Sequence, residues 1–187
     1  MRIVGGDFRG RPLAAPEGRE IRPTSDRLRE TLFDILVHRF GDPVTGARVL
    51  DLFAGTGALG LEALSRGAAW CLFVEEGVEA RGLIRRNADA LGVTGRTRIF
   101  RRDAAELGPI GNVAPFSLLF ADPPYGRALA EKALASARDG GWLVNGALCI
   151  VEESAAAKPP EIAGFRKELE REIGQSHLTV FSFALPA

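Results

Sequence analysis

Apolar and polar positions along the chain change their period several times, and each change marks an element. Residues 2 to 22 carry two short β-prone pieces, Arg2 to Val4 and Arg11 to Leu13, among glycines and Pro16 and without a helical period. This predicts an extended, hairpin-like arm outside the sheet, with residues that cannot build a core. Next, Thr24-Ser25-Asp26 offers capping side chains, and Leu28, Leu32, Ile35, Leu36 and Phe40 recur at helical spacing until Gly41-Asp42-Pro43 stops the helix. From Ala47 apolar runs alternate with amphipathic stretches: VLDLF, a helix from Ala58, WCLFVE, a helix Val78 to Leu91, TRIFR, SLLFA, a helix Ala128 to Ala137, and ALCIVEE. Nearly continuous apolar strands separated by helices predict an α/β fold, doubly wound about a mostly parallel sheet. After the Ala- and Pro-rich Ser154 to Pro160, Phe165 to Glu172 and His177 to Phe183 follow with no helix between them, which predicts an antiparallel C-terminal edge hairpin. The expected organisation is an N-terminal β-hairpin arm, 1–25, and one α/β domain, 26–187.

Composition adds limits. With 187 residues, 46% hydrophobic and 26% charged, the chain has the make-up of an ordinary globular protein. No apolar run reaches the roughly 18 residues of a membrane span, and the charged, glycine-containing MRIVGGDFRGR differs from an apolar leader, so a cytoplasmic protein is expected. Cys71 and Cys149 lie in apolar strands without ligand spacing and read as buried free thiols; no metal site is expected. His38 and His177 are isolated. Lys+Arg and Asp+Glu both total 24, so net charge gives no support to nucleic-acid binding. Charge is uneven, however: seven arginines against four acids lie between Met1 and Arg29.

Three strand ends carry candidate chemistry. Asp51-Leu-Phe-Ala-Gly55-Thr-Gly57-Ala-Leu-Gly60 closes the first sheet strand, where glycines let the backbone turn tightly and approach a ligand at a helix N-terminus. The three glycines also satisfy G-x-G-x-x-G, which keeps a dinucleotide fold in play. Asp51 favours a cationic group over a pyrophosphate. Glu75, at the end of the second strand, suits the two hydroxyls of a ribose. Asp103 follows the third strand and suits either an adenine amine or a helix N-cap. The sharpest signal is Asp122-Pro123-Pro124-Tyr125 after SLLFA. The prolines stiffen the loop and remove donors, leaving the Asp122 carboxylate and the Pro123 carbonyl as acceptors for an exocyclic amine. Tyr125 offers a ring on which an extruded base can stack.

Asp51 to Gly60 together with DPPY resembles the class I S-adenosylmethionine-dependent amino-methyltransferases. RIVGGDFRGRPL, RPTSDRLRETLFDIL, DLFAGTGALGLEALSRGA and the Gly174-Gln175 pair extend the resemblance over nearly the whole chain, to the RsmD family of 16S ribosomal RNA guanine-N2 methyltransferases. The resemblance implies a seven-stranded Rossmann-like sheet and S-adenosyl-L-methionine as cofactor. Asp51, Phe53, Ala54, Gly55, Thr56, Gly57, Glu75, Asp103 and Ala104 would line the cofactor site, and Asp122, Pro123, Pro124 and Tyr125 the catalytic site. His177 stands where the family pattern leads one to expect an aromatic residue. The expected RNA contacts are Arg9, Arg11, Arg22, Thr24 and Arg27, and the expected partner of a monomeric enzyme is 16S ribosomal RNA within an assembling small subunit. Three other readings compete: an adenine-N6 methyltransferase of DNA or RNA, an NAD-binding oxidoreductase, and a catalytically silent RNA-binding module.

Overall fold

A computed structural model describes residues 1–16, 25–124, 128–156 and 161–185. Among them are seven strands and four helices. The strands are β1 (Arg48–Leu52), β2 (Trp70–Val74), β3 (Thr97–Phe100), β4 (Phe116–Ala121), β5 (Leu143–Ser154), β6 (Phe165–Ile173) and β7 (Ser176–Phe183). The helices are α1 (Asp26–Phe40), α2 (Ala58–Ser65), α3 (Val78–Ala90) and α4 (Leu129–Asp139). One sheet runs in the order β3-β2-β1-β4-β5-β7-β6. The strands from β3 to β5 pair in parallel, while β7 is antiparallel to both β5 and β6. This is the predicted Rossmann-like architecture with its antiparallel edge hairpin.

Strand residues alternate between two cores. Val49, Cys71, Phe73, Leu118, Phe120 and Ile150 face the layer that holds α1, α2 and α3. Leu50, Leu72, Val74, Leu119, Cys149 and Val151 face α4 and Trp142. Because both faces are covered, these strands read as unbroken apolar runs. Phe33, in the middle of α1, lies 5.7 Å from Phe120 of β4, and Ser25, Arg27 and Leu28 at the start of the helix share a cleft with Asp51, Glu75 and Asp122 at the carboxyl ends of the central strands.

Two expectations need correction. Strand β5 starts at Leu143, four residues before the predicted ALCIVEE: Leu143 pairs with Phe116, and the register shift between Phe116 and Leu118, with Gly146 at φ 80°, interrupts the apolar run that marks the rest of the strand. The N-terminal arm does contribute to the core. Its strands meet at the Arg2–Pro12 bridge, and Ile3 (0% exposed) and Leu13 (5%) are buried in the α1–α3 layer. Glu62 of α2, fully buried, accepts the Val4 and Gly5 N–H groups at 2.8 and 2.7 Å and the Arg66 Nε–H at 2.8 Å. The Asn87 amide, also buried, accepts from Ala14 N at 2.7 Å and donates to the Ala14 carbonyl at 3.1 Å. These bonds satisfy backbone groups that a free arm would leave to water.

Candidate active site

The β1–α2 loop is shaped by backbone conformation. Phe53, Gly55 and Gly57 all have positive φ (56°, 55° and 78°). For Phe53 this left-handed conformation is strained, and such strain concentrates where a loop has to meet a ligand. Gly57 caps α2 and offers no side-chain hydrogen bond of its own to the first turn of the helix. Gly60 is required by packing: a Cβ would stand 2.5 Å from Cys71 Sγ and from Phe73 Cε1. Asp51, 2% exposed, accepts the Gly60 N–H at 2.9 Å. Burial pushes its carboxyl well above the ordinary range; the Gly60 bond opposes this, and the charges of Asp122 and Glu75 add to it.

The loop is held from both sides. Glu75 Oε2 accepts from Gly55 N at 2.9 Å and Oε1 from Gly77 N at 2.7 Å, so the carboxylate is fixed while each oxygen retains further accepting capacity. Asn87 Nδ2 donates to the Thr56 carbonyl at 3.0 Å. Asp103 caps the short turn Ala104–Glu106 by accepting from Ala105 N at 2.8 Å. Its capping role is therefore present, at a position that also borders the cleft.

One cleft of about 1240 Å³ joins these parts. It is lined by Asp51, Phe53, Ala54, Gly55 and Thr56 from the glycine loop, by Glu75, and by Asp103 and Ala104. Asp122, Pro123 and Pro124 line it beyond β4, and Arg27 lines it from the first turn of α1. Gly57 supports the loop but is not in the lining. Arg9 and Arg11 lie off the cleft on the arm, and Arg11 Nη2 donates to the Ala90 carbonyl at 2.5 Å. Tyr125, Arg22 and Thr24 lie outside the described residues. Both thiols are free and buried, and burial raises their pKa values, so neither is poised as a nucleophile. Among the described residues no cluster of His, Cys, Asp and Glu fits a metal, and no helix is long and apolar enough to cross a membrane.

One wall of this cleft carries no clear signal in the sequence. Glu152 at the end of β5 and the β6–β7 turn, Arg171 to Ser176, border the Asp122 side. Ser176 Oγ donates to Glu152 Oε1 at 2.7 Å, and Ala155 N donates to the Gln175 carbonyl at 2.9 Å, which fixes the turn against β5. The Gly174-Gln175 pair was the visible signal, but only the β5–β7 pairing places it beside DPP.

Known proteins resemble this chain in sequence and in fold. The family profile described as conserved hypothetical protein 95 matches residues 1–182. Ribosomal RNA small subunit methyltransferase D of Escherichia coli (strain K12) is 38% identical over 177 residues, covering 94% of this chain and 86% of that protein. The solved structure of the Escherichia coli protein yhhF has a TM-score of 0.82 at 35% identity, with 98% of each chain covered. An RNA methyltransferase from Salinibacter ruber, solved in complex with S-adenosyl-L-homocysteine, shares the fold with a TM-score of 0.67 at 12% identity, over 89% of this chain and 96% of that one. The chain therefore belongs to the RsmD family of methyltransferases.

Proposed function

We propose that the protein transfers a methyl group from S-adenosyl-L-methionine to the exocyclic N2 amine of a guanine in 16S ribosomal RNA. The observation that carries this reading is the shared cleft, in which Asp122 and Pro123 after β4 meet the glycine loop after β1 and Glu75 after β2. The cofactor, when bound, supplies a methyl group on a cationic sulfonium. The cleft suits such a ligand: its glycine loop is open to close approach, and the buried Asp51 would gain a counter-charge from it. Asp51, Phe53, Ala54, Gly55 and Thr56 would hold the methionine end, with Gly57 setting the turn. Glu75 would accept from the ribose hydroxyls, and Asp103 with Ala104 would border the adenine.

The amine lone pair of guanine is delocalised into the ring and is a poor nucleophile. Acceptors at both of its protons favour the pyramidal form, and the Asp122 carboxylate and Pro123 carbonyl supply them on a loop stiffened by Pro124. Asp122, or a water beside it, takes the proton that leaves the amine. Tyr125 would stack on the base. Catalysis is then positioning and electrostatics, with no covalent enzyme intermediate.

For the substrate, the arm (1–25) would grip RNA backbone through Arg9, Arg11, Arg22 and Thr24, with Arg27 at the cleft and residues 26–187 carrying the chemistry. A chain of zero net charge has little capacity for tight non-specific RNA binding, which favours an assembling ribosomal subunit in the cytoplasm as the target of a monomeric enzyme. Asp122→Ala tests the site: turnover on ribosomal substrate should be abolished while cofactor affinity stays within about threefold. Unchanged turnover contradicts the assignment.

A further inference from the structure

Resting on the RNA-methyltransferase reading, we propose that Arg171 of the β6–β7 hairpin is a second phosphate-binding residue. It would act with Arg27 to hold the RNA backbone beside the extruded guanine. Among the described residues, carboxylates that line the cleft outnumber guanidinium groups eight to three. A polyanion is therefore repelled from most of the cleft and can be held only where an uncommitted cation stands.

The three arginines are not equivalent. Arg102 donates to the Leu107 carbonyl and lies over the rings of Phe100 and Trp142, so it is committed within the protein. Arg27 and Arg171 are exposed and have no hydrogen-bond or ion-pair partner for their guanidinium groups among the described residues. On β6 the contrast is local. Arg166 pairs with Glu168 at 2.7 Å and Lys167 with Glu170 at 2.6 Å, whereas Arg171, on the same strand, is left unpaired among the described residues and borders the cleft.

Position supports the same role. In strand order, Glu75 and Asp103 follow β2 and β3 on one side of Asp122, while β6 forms the sheet edge on the other. The hairpin is also preorganised. Gly174 turns it at φ 63°, Ser176 ties it to Glu152, and Ala155 ties the Gln175 carbonyl to β5. A cation on a fixed turn holds a phosphodiester with less ordering cost than one on a free loop.

The test measures binding of a 16S ribosomal RNA fragment as a function of salt, alongside methyl transfer and S-adenosylhomocysteine affinity. Wild type is compared with Arg27→Ala, Arg171→Ala, Arg171→Lys and Arg166→Ala. Each of Arg27→Ala and Arg171→Ala should flatten the log–log salt slope by about 0.7 and weaken RNA binding at low salt by about tenfold, with cofactor-product affinity unchanged. Arg171→Lys should keep the slope, and Arg166→Ala should match wild type. An unchanged slope in Arg171→Ala, or an equal loss in Arg166→Ala, overturns the inference. If wild type binds the fragment but does not methylate guanine, the reading of the reaction fails, and the slopes still decide the role of Arg171.

Discussion

Glu75 Oε2 accepts the Gly55 N–H at 2.9 Å, joining the carboxylate that ends β2 to the glycine loop that follows β1. The bond does two things. It holds a loop with positive φ at three positions in one conformation, and it orients the carboxylate proposed to bind ribose. Acid and loop are thus one unit, preorganised across neighbouring strands.

Glu75→Ala is expected to weaken S-adenosylmethionine binding by about 1.5 to 3 kcal/mol, the scale for losing hydrogen bonds to a charged acceptor. Calorimetry measures it directly. An unchanged affinity would place the ribose elsewhere.

Asp51→Asn is expected to separate stability from binding. The folded-state pKa of Asp51 is raised by burial, so the folded protein keeps a proton that the unfolded chain releases. Its contribution to stability is therefore full below the ordinary carboxyl value and is lost as pH rises towards the raised one, at about 1.4 kcal/mol per pH unit. The asparagine variant keeps an acceptor for Gly60 and lacks this loss, so its stability relative to wild type should grow with pH above about 4. Its cofactor affinity should fall, because the counter-charge to a cation is gone. Urea unfolding across pH, with calorimetry on the same samples, checks both parts; a pH-independent stability difference would contradict the first.

Glu62→Ala is expected to cost about 3 kcal/mol, since it leaves two arm N–H groups and Arg66 without their buried acceptor. Denaturant unfolding gives the number, and hydrogen exchange at Val4 and Gly5 should accelerate. A loss under about 0.5 kcal/mol, typical of a surface change, would mean that the arm is not anchored there.

The sheet was legible because strands covered on both faces carry uninterrupted apolar runs, and the cleft because its parts fall at strand ends with distinctive residues: glycines after β1, Glu75, and Asp122-Pro123-Pro124. What stayed hidden was tertiary. Ile3 and Leu13 are isolated apolar residues in a polar arm and carry no period, so their burial was invisible. Glu62 reads as a stray charge in the apolar ALGLEALS, yet it is the acceptor that fixes the arm. Asn87 looks like an ordinary polar helix residue, and its link from Ala14 to Thr56 exists only once arm and loop are folded together. The wall formed by Arg171 and Gln175 depends on β7 pairing with β5, which brings a C-terminal turn next to Asp122.

Whether the protein methylates guanine N2 in 16S ribosomal RNA is decided by mass mapping of that RNA from cells that lack it. One N2-methylguanine should become an unmodified guanine, and wild-type protein should restore it while Asp122→Ala does not. An unchanged guanine modification pattern, or loss of an N6-methyladenine in its place, would contradict this assignment.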